Sequence, residues 1–189
     1  MMKKILVLNG SPSGQKGNCA KLITLIQKSI KGKAKLTVVH LADCKSFGKL
    51  EVLIKNSDGF ILTTGTYWDS WGSPLQWFLE QLTVLEATPA LMGKPAATFV
   101  LMHSVGGKSV LSRLQGVLST MGLFIPPMSG MVYSLVNHVA LKSKTSHAKD
   151  LWQLSDMELI LENLLVACEH PLPWKTWPVD TKNPRRLWL

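Results

Sequence analysis

The strongest constraint on this chain is an alternation between two hydrophobic periods. Short apolar runs of strand length alternate with longer segments whose apolar residues recur at helical spacing, and the alternation occurs five times. The runs cover 4–9, 36–41, 58–64 and 95–102, with a fifth beginning at Leu123-Phe124-Ile125 and cut short by Pro126-Pro127. Helices are expected over 20–31, 47–56, 74–85 and 108–121. A last helix is expected to about Cys168, opened by the capping-box pattern Ser155-x-x-Glu158. The polar, basic stretch 137–150 reads as a loop. Strand–helix alternation of this kind requires right-handed crossovers and a parallel sheet with helices on both faces, which is an α/β three-layer sandwich. For an open five-stranded parallel sheet the expected order is 2-1-3-4-5. That order leaves a crevice between strands one and three at their carboxyl ends.

A chain of 189 residues suits one domain over 1–189. Residues 169–189 form a tail with Trp174, Trp177 and Trp188, four prolines and Arg185-Arg186. The prolines exclude a long helix. Three indoles expose too much apolar area to remain in water, so the tail is expected to pack on its own domain or on a partner subunit.

Composition excludes several classes. No run approaches the roughly 18 apolar residues of a membrane span. Met1-Met2-Lys3-Lys4 begins like a secretion signal, but the apolar run behind it is far shorter than the roughly 7–15 residues a signal needs. The expected location is cytoplasmic. Cys19, Cys44 and Cys168 are widely separated and include no CxxC pair, which argues against a disulfide framework or a zinc knuckle. His40, His138, His147 and His170 lack metal-ligand spacing. The formal charge of +9 is spread along the chain with no nucleic-acid motif, so no nucleic-acid partner is expected. Gly107-Lys108-Ser109 lacks the earlier glycine of a P-loop, since position 102 is Met. There is no GxGxxG after strand one and no G-x-S-x-G elbow.

Three loops rich in small and polar residues reach the predicted crevice. The first, 10–18, follows strand one and holds Gly10, Gly14 and Gly17 with Ser11, Ser13 and Asn18. It leads into a helix beginning at Asn18 or Cys19, whose free N–H groups and positive dipole end suit a phosphate. The second, 65–73, carries Tyr67, Trp68 and Trp71. These aromatics serve either as a platform for a flat ring or as cover for the core or an oligomer interface. The third, 103–107, ends in Gly106-Gly107.

Gly10-Ser11-Pro12 followed by Gly17-Asn18 resembles the phosphate loop of flavodoxin-like NAD(P)H-dependent FMN reductases and quinone reductases. Tyr67-Trp68-Asp69-Ser70 with Leu75-Gln76-Trp77-Phe78 is similar to that family's Pro-x-Tyr-x-x-Ser and Leu-Lys-x-Phe segment. Gly106-Gly107 and then Gly122-Leu123-Phe124-Ile125-Pro126 resemble its glycine pair and later strand. The resemblance covers residues 4 to about 168 and implies a flavodoxin-like fold. It implies that Ser11, Ser13, Gly17, Asn18 and Cys19 hold the FMN phosphate. Thr66, Tyr67, Trp68 and Asp69 would lie along the isoalloxazine, and Ser104, Gly106 and Gly107 would line its other edge.

Cys19 stands where the family has a hydroxyl residue, Gly65 where it has Pro, and Gln76 where it has Lys. The implied activity is electron transfer from NADPH or NADH through FMN to a small-molecule acceptor, with no catalytic acid or base named because the cofactor carries the chemistry. A homodimer or homotetramer is implied as well. The alternative class is a non-enzymatic flavodoxin-like electron carrier or a flavin-free scaffold. The basic balance counts against a carrier, since flavodoxins are usually acidic.

Overall fold

A computed structural model describes residues 2–180 and 182–183. Five parallel strands form one sheet in the order 2-1-3-4-5: β1 (Lys3–Asn9), β2 (Ala34–His40), β3 (Gly59–Gly65), β4 (Ala96–Met102) and β5 (Gly130–Ser134). The helices are α1 (Asn18–Ser29), α2 (Gly48–Lys55), α3 (Ser73–Leu82), α4 (Gly107–Thr120), α5 (Leu135–Lys142) and α6 (Asp156–Glu169). The strands pleat with period two, so alternate residues feed two cores. Leu6, Leu8, Phe60 and Leu62 pack with α2, α3 and the later half of α4, whereas Ile5, Val7 and Ile61 pack with α1 and α6. Both faces of the central strands are therefore covered, which is why their sequences are continuously apolar.

Three expectations are corrected. Residues 123–125 do not form the fifth strand; Phe124 makes only an isolated parallel bridge to Pro95. Pro126 and Pro127 lack N–H groups, Met128 turns at φ 52°, and strand pairing with β4 begins only at Gly130. Gly130 is small for a reason, because a Cβ there would meet Thr98 Oγ1 at 2.6 Å and Gln115 Nε2 at 2.7 Å. Residues 135–142 form helix α5 rather than loop, capped where Ser134 Oγ accepts from Asn137 N at 2.9 Å. At α6 the capping box does not form. Ser155 is itself helical in backbone, and the Asp156 carboxylate instead accepts from Gln153 N at 2.8 Å.

The described part of the tail after α6 has no regular secondary structure. Trp174 lies with its ring 5.8 Å from that of Phe124 and against Gly93, while Trp177 stays exposed. Trp188 and Arg185-Arg186 lie outside the described residues.

Candidate functional site

The site begins at a buried polar side chain. Asn9 closes β1 and is wholly inaccessible to solvent, so its amide must be satisfied internally. Its Oδ1 accepts from Ser11 N at 3.1 Å and Thr63 Oγ1 at 3.5 Å. Its Nδ2 donates to Gly14 O at 2.8 Å and to His40 Nδ1 at 2.9 Å. All four hydrogen-bonding positions of the amide are used. Strands β1, β2 and β3 and the first loop thus meet at one residue. The sequence reading did not single out Asn9, although an asparagine closing an apolar run was a visible signal.

The loop then folds on itself. Ser13 N donates to Ser11 Oγ at 3.3 Å, Gly14 N to Ser11 O at 3.0 Å and Lys16 N to Ser13 O at 3.0 Å. Gly17 is extended, and α1 starts without a side-chain cap. Among the described residues, no acceptor is found for the N–H groups of Asn18 and Cys19. Those donors, at the positive end of a twelve-residue helix, suit an anion. The backbone at Gly17 closes on this space: a Cβ there would lie 2.7 Å from Ser13 Cβ and 3.4 Å from Ser11 Oγ.

The second loop is a tight turn. Tyr67 and Ser70 exchange two backbone hydrogen bonds, at 2.8 and 3.0 Å. The central residues, Trp68 and Asp69, take positive φ of 48° and 57°. Only a turn with both central residues left-handed allows this, and two non-glycine residues there are strained. The turn is braced from α4, where the Arg113 guanidinium donates to Asp69 O and lies over the Trp71 ring at 5.5 Å. Trp71 packs against the cores, whereas Trp68 is fully exposed. The Tyr67 ring folds back over Gly65, and its hydroxyl is 3.2 Å from Ser11 Oγ, joining the first two loops. The third loop turns at Gly106, φ +84°, where a Cβ would run into the Asp69 carboxylate.

These loops enclose a cleft of about 230 Å³ over the carboxyl ends of β3 and β4. Of the expected residues it gathers Ser11, Ser13, Asn18, Cys19, Thr66 and Tyr67. Gly17 shapes the loop beside it, Trp68 is fully exposed and outside the lining, and Asp69 is held against Gly106. Ser104, Gly106 and Gly107 are absent from the lining, and the third loop contributes His103 instead. Leu101 and Met102 at the end of β4 also line the cleft and were not foreseen. Thr66 Oγ1 is buried with no hydrogen-bond partner among the described residues. An orphaned hydroxyl and two unpaired N–H groups on one cleft fit a ligand with several acceptor oxygens, such as a flavin mononucleotide. No group of three His, Cys, Asp or Glu side chains able to hold a metal occurs among the described residues.

Cys19 faces this cleft as a buried thiol. Burial pushes its pKa up to about 11, against partial relief from hydrogen bonds with Thr63 and Ser11, and burial pushes Cys168 up to about 12. Both thiols are therefore protonated and unreactive at neutral pH. A thiol reagent at pH 8 is expected to label the half-buried Cys44 first, and Cys19 and Cys168 only after denaturation. In the unfolded chain both ionise near the ordinary value of 9.0. Their contribution to stability is complete below pH 9 and is lost as pH rises through about 11 to 12. Urea unfolding between pH 8 and 11.5 checks the sign.

A profile of the NADPH-dependent FMN reductase family matches residues 3–137. The chain belongs to this family. The fold of this FMN reductase relative recurs in solved structures. RosB, with a bound 8-demethyl-8-formylriboflavin-5'-phosphate intermediate, superposes at TM-score 0.71 and 15% identity, covering 88% of this chain and 79% of that chain. The NADH:FMN oxidoreductase EMOB in apo form gives 0.68 and 19%, covering 88% and 90%. FerB, a flavoenzyme NAD(P)H:(acceptor) oxidoreductase from Paracoccus denitrificans, gives 0.68 and 19%, covering 89% and 98%. No curated protein sequence is recognisably related. Family membership gives the activity class, flavin-dependent oxidoreduction with FMN as the cofactor. No helix among the described residues of this FMN reductase family member is long and apolar enough to cross a membrane.

Proposed function

We propose that the protein is an FMN-dependent oxidoreductase that takes electrons from NADPH or NADH and delivers them to a small acceptor such as a quinone or a free flavin. The observation that carries this reading is the set of unpaired donors on one cleft in a family member: Asn18 N–H, Cys19 N–H and Thr66 Oγ1. Ser11, Ser13, Gly17, Asn18 and Cys19 would hold the phosphate, with Cys19 contributing through its backbone because a thiol is a weak donor. Thr66 and Tyr67 would border the ring, Trp68 and Asp69 would form its outer rim, and Ser104, Gly106 and Gly107 would close the far edge. When bound, FMN would accept a hydride equivalent from nicotinamide and release electrons to the acceptor. The chain's own part is to bind the phosphate, orient the ring and keep the thiol neutral.

Trp68, Val105, Leu135 and Val136 are exposed apolar side chains on the second and third loops and at the start of α5. A second copy covering them would complete the site, so we propose a homodimer or homotetramer. The free thiols suit a reducing, cytoplasmic setting.

The test is a fluorescence titration with FMN, followed by NADPH and NADH oxidation with a quinone. Saturable FMN binding and acceptor-dependent turnover are expected. Binding without turnover would leave an electron carrier, and absence of FMN binding would leave a scaffold. The direct Tyr67–Ser11 contact across the cleft is the feature a scaffold would retain.

A further inference from the structure

A second chamber of about 270 Å³ adjoins the cleft and shares Asn18, Leu101, Met102 and His103 with it. Its floor is apolar, with Leu22 and Leu25 of α1, Leu101 of β4 and Leu154. Its polar residues are Asn18, Lys21, His103, Ser134 and the pair Tyr133 and His138, and no acidic side chain lines it. Tyr133 OH and His138 Nδ1 are 2.9 Å apart, with the rings edge-on at 77°. Burial raises the Tyr133 pKa, so the phenol stays protonated. The pair works in two senses: the phenol donates to Nδ1 and the neutral imidazole carries its proton on Nε2, or Nδ1–H donates to the phenol oxygen and Nε2 is an acceptor.

The chamber is a built feature. Ser134 caps α5, the Val136 N–H donates to His103 O at 3.2 Å, and the Tyr133–His138 bond ties the helix to the sheet. None of the α5 residues is itself buried, so those contacts, rather than core packing, set the wall.

We propose that this chamber binds a planar aromatic compound with an acidic oxygen, such as a phenolate or a hydroxyquinone. Its ring would lie on the leucine floor, and its oxygen would meet Lys21 and His138. The volume falls just below the roughly 300–1,000 Å³ of drug-sized sites, which suits a one- or two-ring ligand. An ammonium, two imidazoles and no opposing carboxylate favour negative charge on that ligand.

The probe is lawsone, a hydroxynaphthoquinone that is anionic at neutral pH, titrated calorimetrically into FMN-saturated and flavin-free protein. One site is expected in both. Lys21→Glu and His138→Phe should each weaken lawsone about tenfold or more. Leu154→Trp, which fills the chamber, should abolish lawsone binding. All three variants should bind FMN as the parent does. Leu154 also packs against the core, so the first two variants stand as the test if it fails to fold. The proposal is overturned if lawsone does not bind, if FMN displaces it, or if it ignores both Lys21→Glu and His138→Phe. Lawsone binding to a protein that never takes up FMN would sink the oxidoreductase reading and leave the chamber standing.

Discussion

Gly17→Val is expected to weaken FMN binding at least about a hundredfold while the fold persists. Gly17 sits at φ −88°, a conformation open to any residue, so the substitution carries no backbone strain. Its effect is steric and local. The new Cβ would begin 2.7 Å from Ser13 Cβ, and the branched methyls would reach further into the space before the Asn18 and Cys19 N–H groups. Ser13 lies in an exposed loop, so the displacement falls on the loop backbone and the core should not register the change. Circular dichroism and the thermal midpoint should match the parent, and only the FMN titration should differ. Undiminished FMN affinity in a folded Gly17→Val protein would mean that the phosphate binds elsewhere.

Asn9→Ala is expected to cost about 2–4 kcal/mol of stability, read as a lower urea midpoint. The substitution strips a partner from Ser11 N–H, the Gly14 carbonyl, the Thr63 hydroxyl and His40 Nδ1 at once. Ser11, Gly14 and Thr63 are buried, so solvent does not replace the lost partner there. The first loop should loosen with it, so FMN affinity should fall together with stability, unlike the Gly17 result. A midpoint within error of the parent would show that the loop does not depend on this amide.

The central strands were legible because the runs 4–9, 58–64 and 95–102 are apolar on both faces, and their order followed from the common topology of an open five-stranded parallel sheet. The fifth strand was misplaced because Leu123-Phe124-Ile125 has strand composition, yet it has only one bridge to make before the two prolines. Gly130-Met131-Val132-Tyr133-Ser134 carries the real pairing behind a glycine, where periodicity has little signal. Helix α5 escaped notice because it is only eight residues long and runs into a basic, polar stretch; its apolar residues Leu135, Val136 and Val139 stay exposed. The Ser155 box was a false cue, since the nearer Asp156 takes the competing hydrogen bond. At the site, the first loop was readable from its glycines and hydroxyls. The direction of Trp68 was not, because it depends on a left-handed turn that Arg113 braces from forty-four positions further along the chain.

That bracing has a thermodynamic corollary. With Gly106 abutting the Asp69 carboxylate and Arg113 gripping the Asp69 carbonyl, the second and third loops form one rigid jaw before any guest arrives. Closing on a flat ring should therefore sacrifice little conformational freedom on that side. The adaptation left to the molecule falls on the first loop, whose Ser11 either parts from the Tyr67 hydroxyl or keeps it.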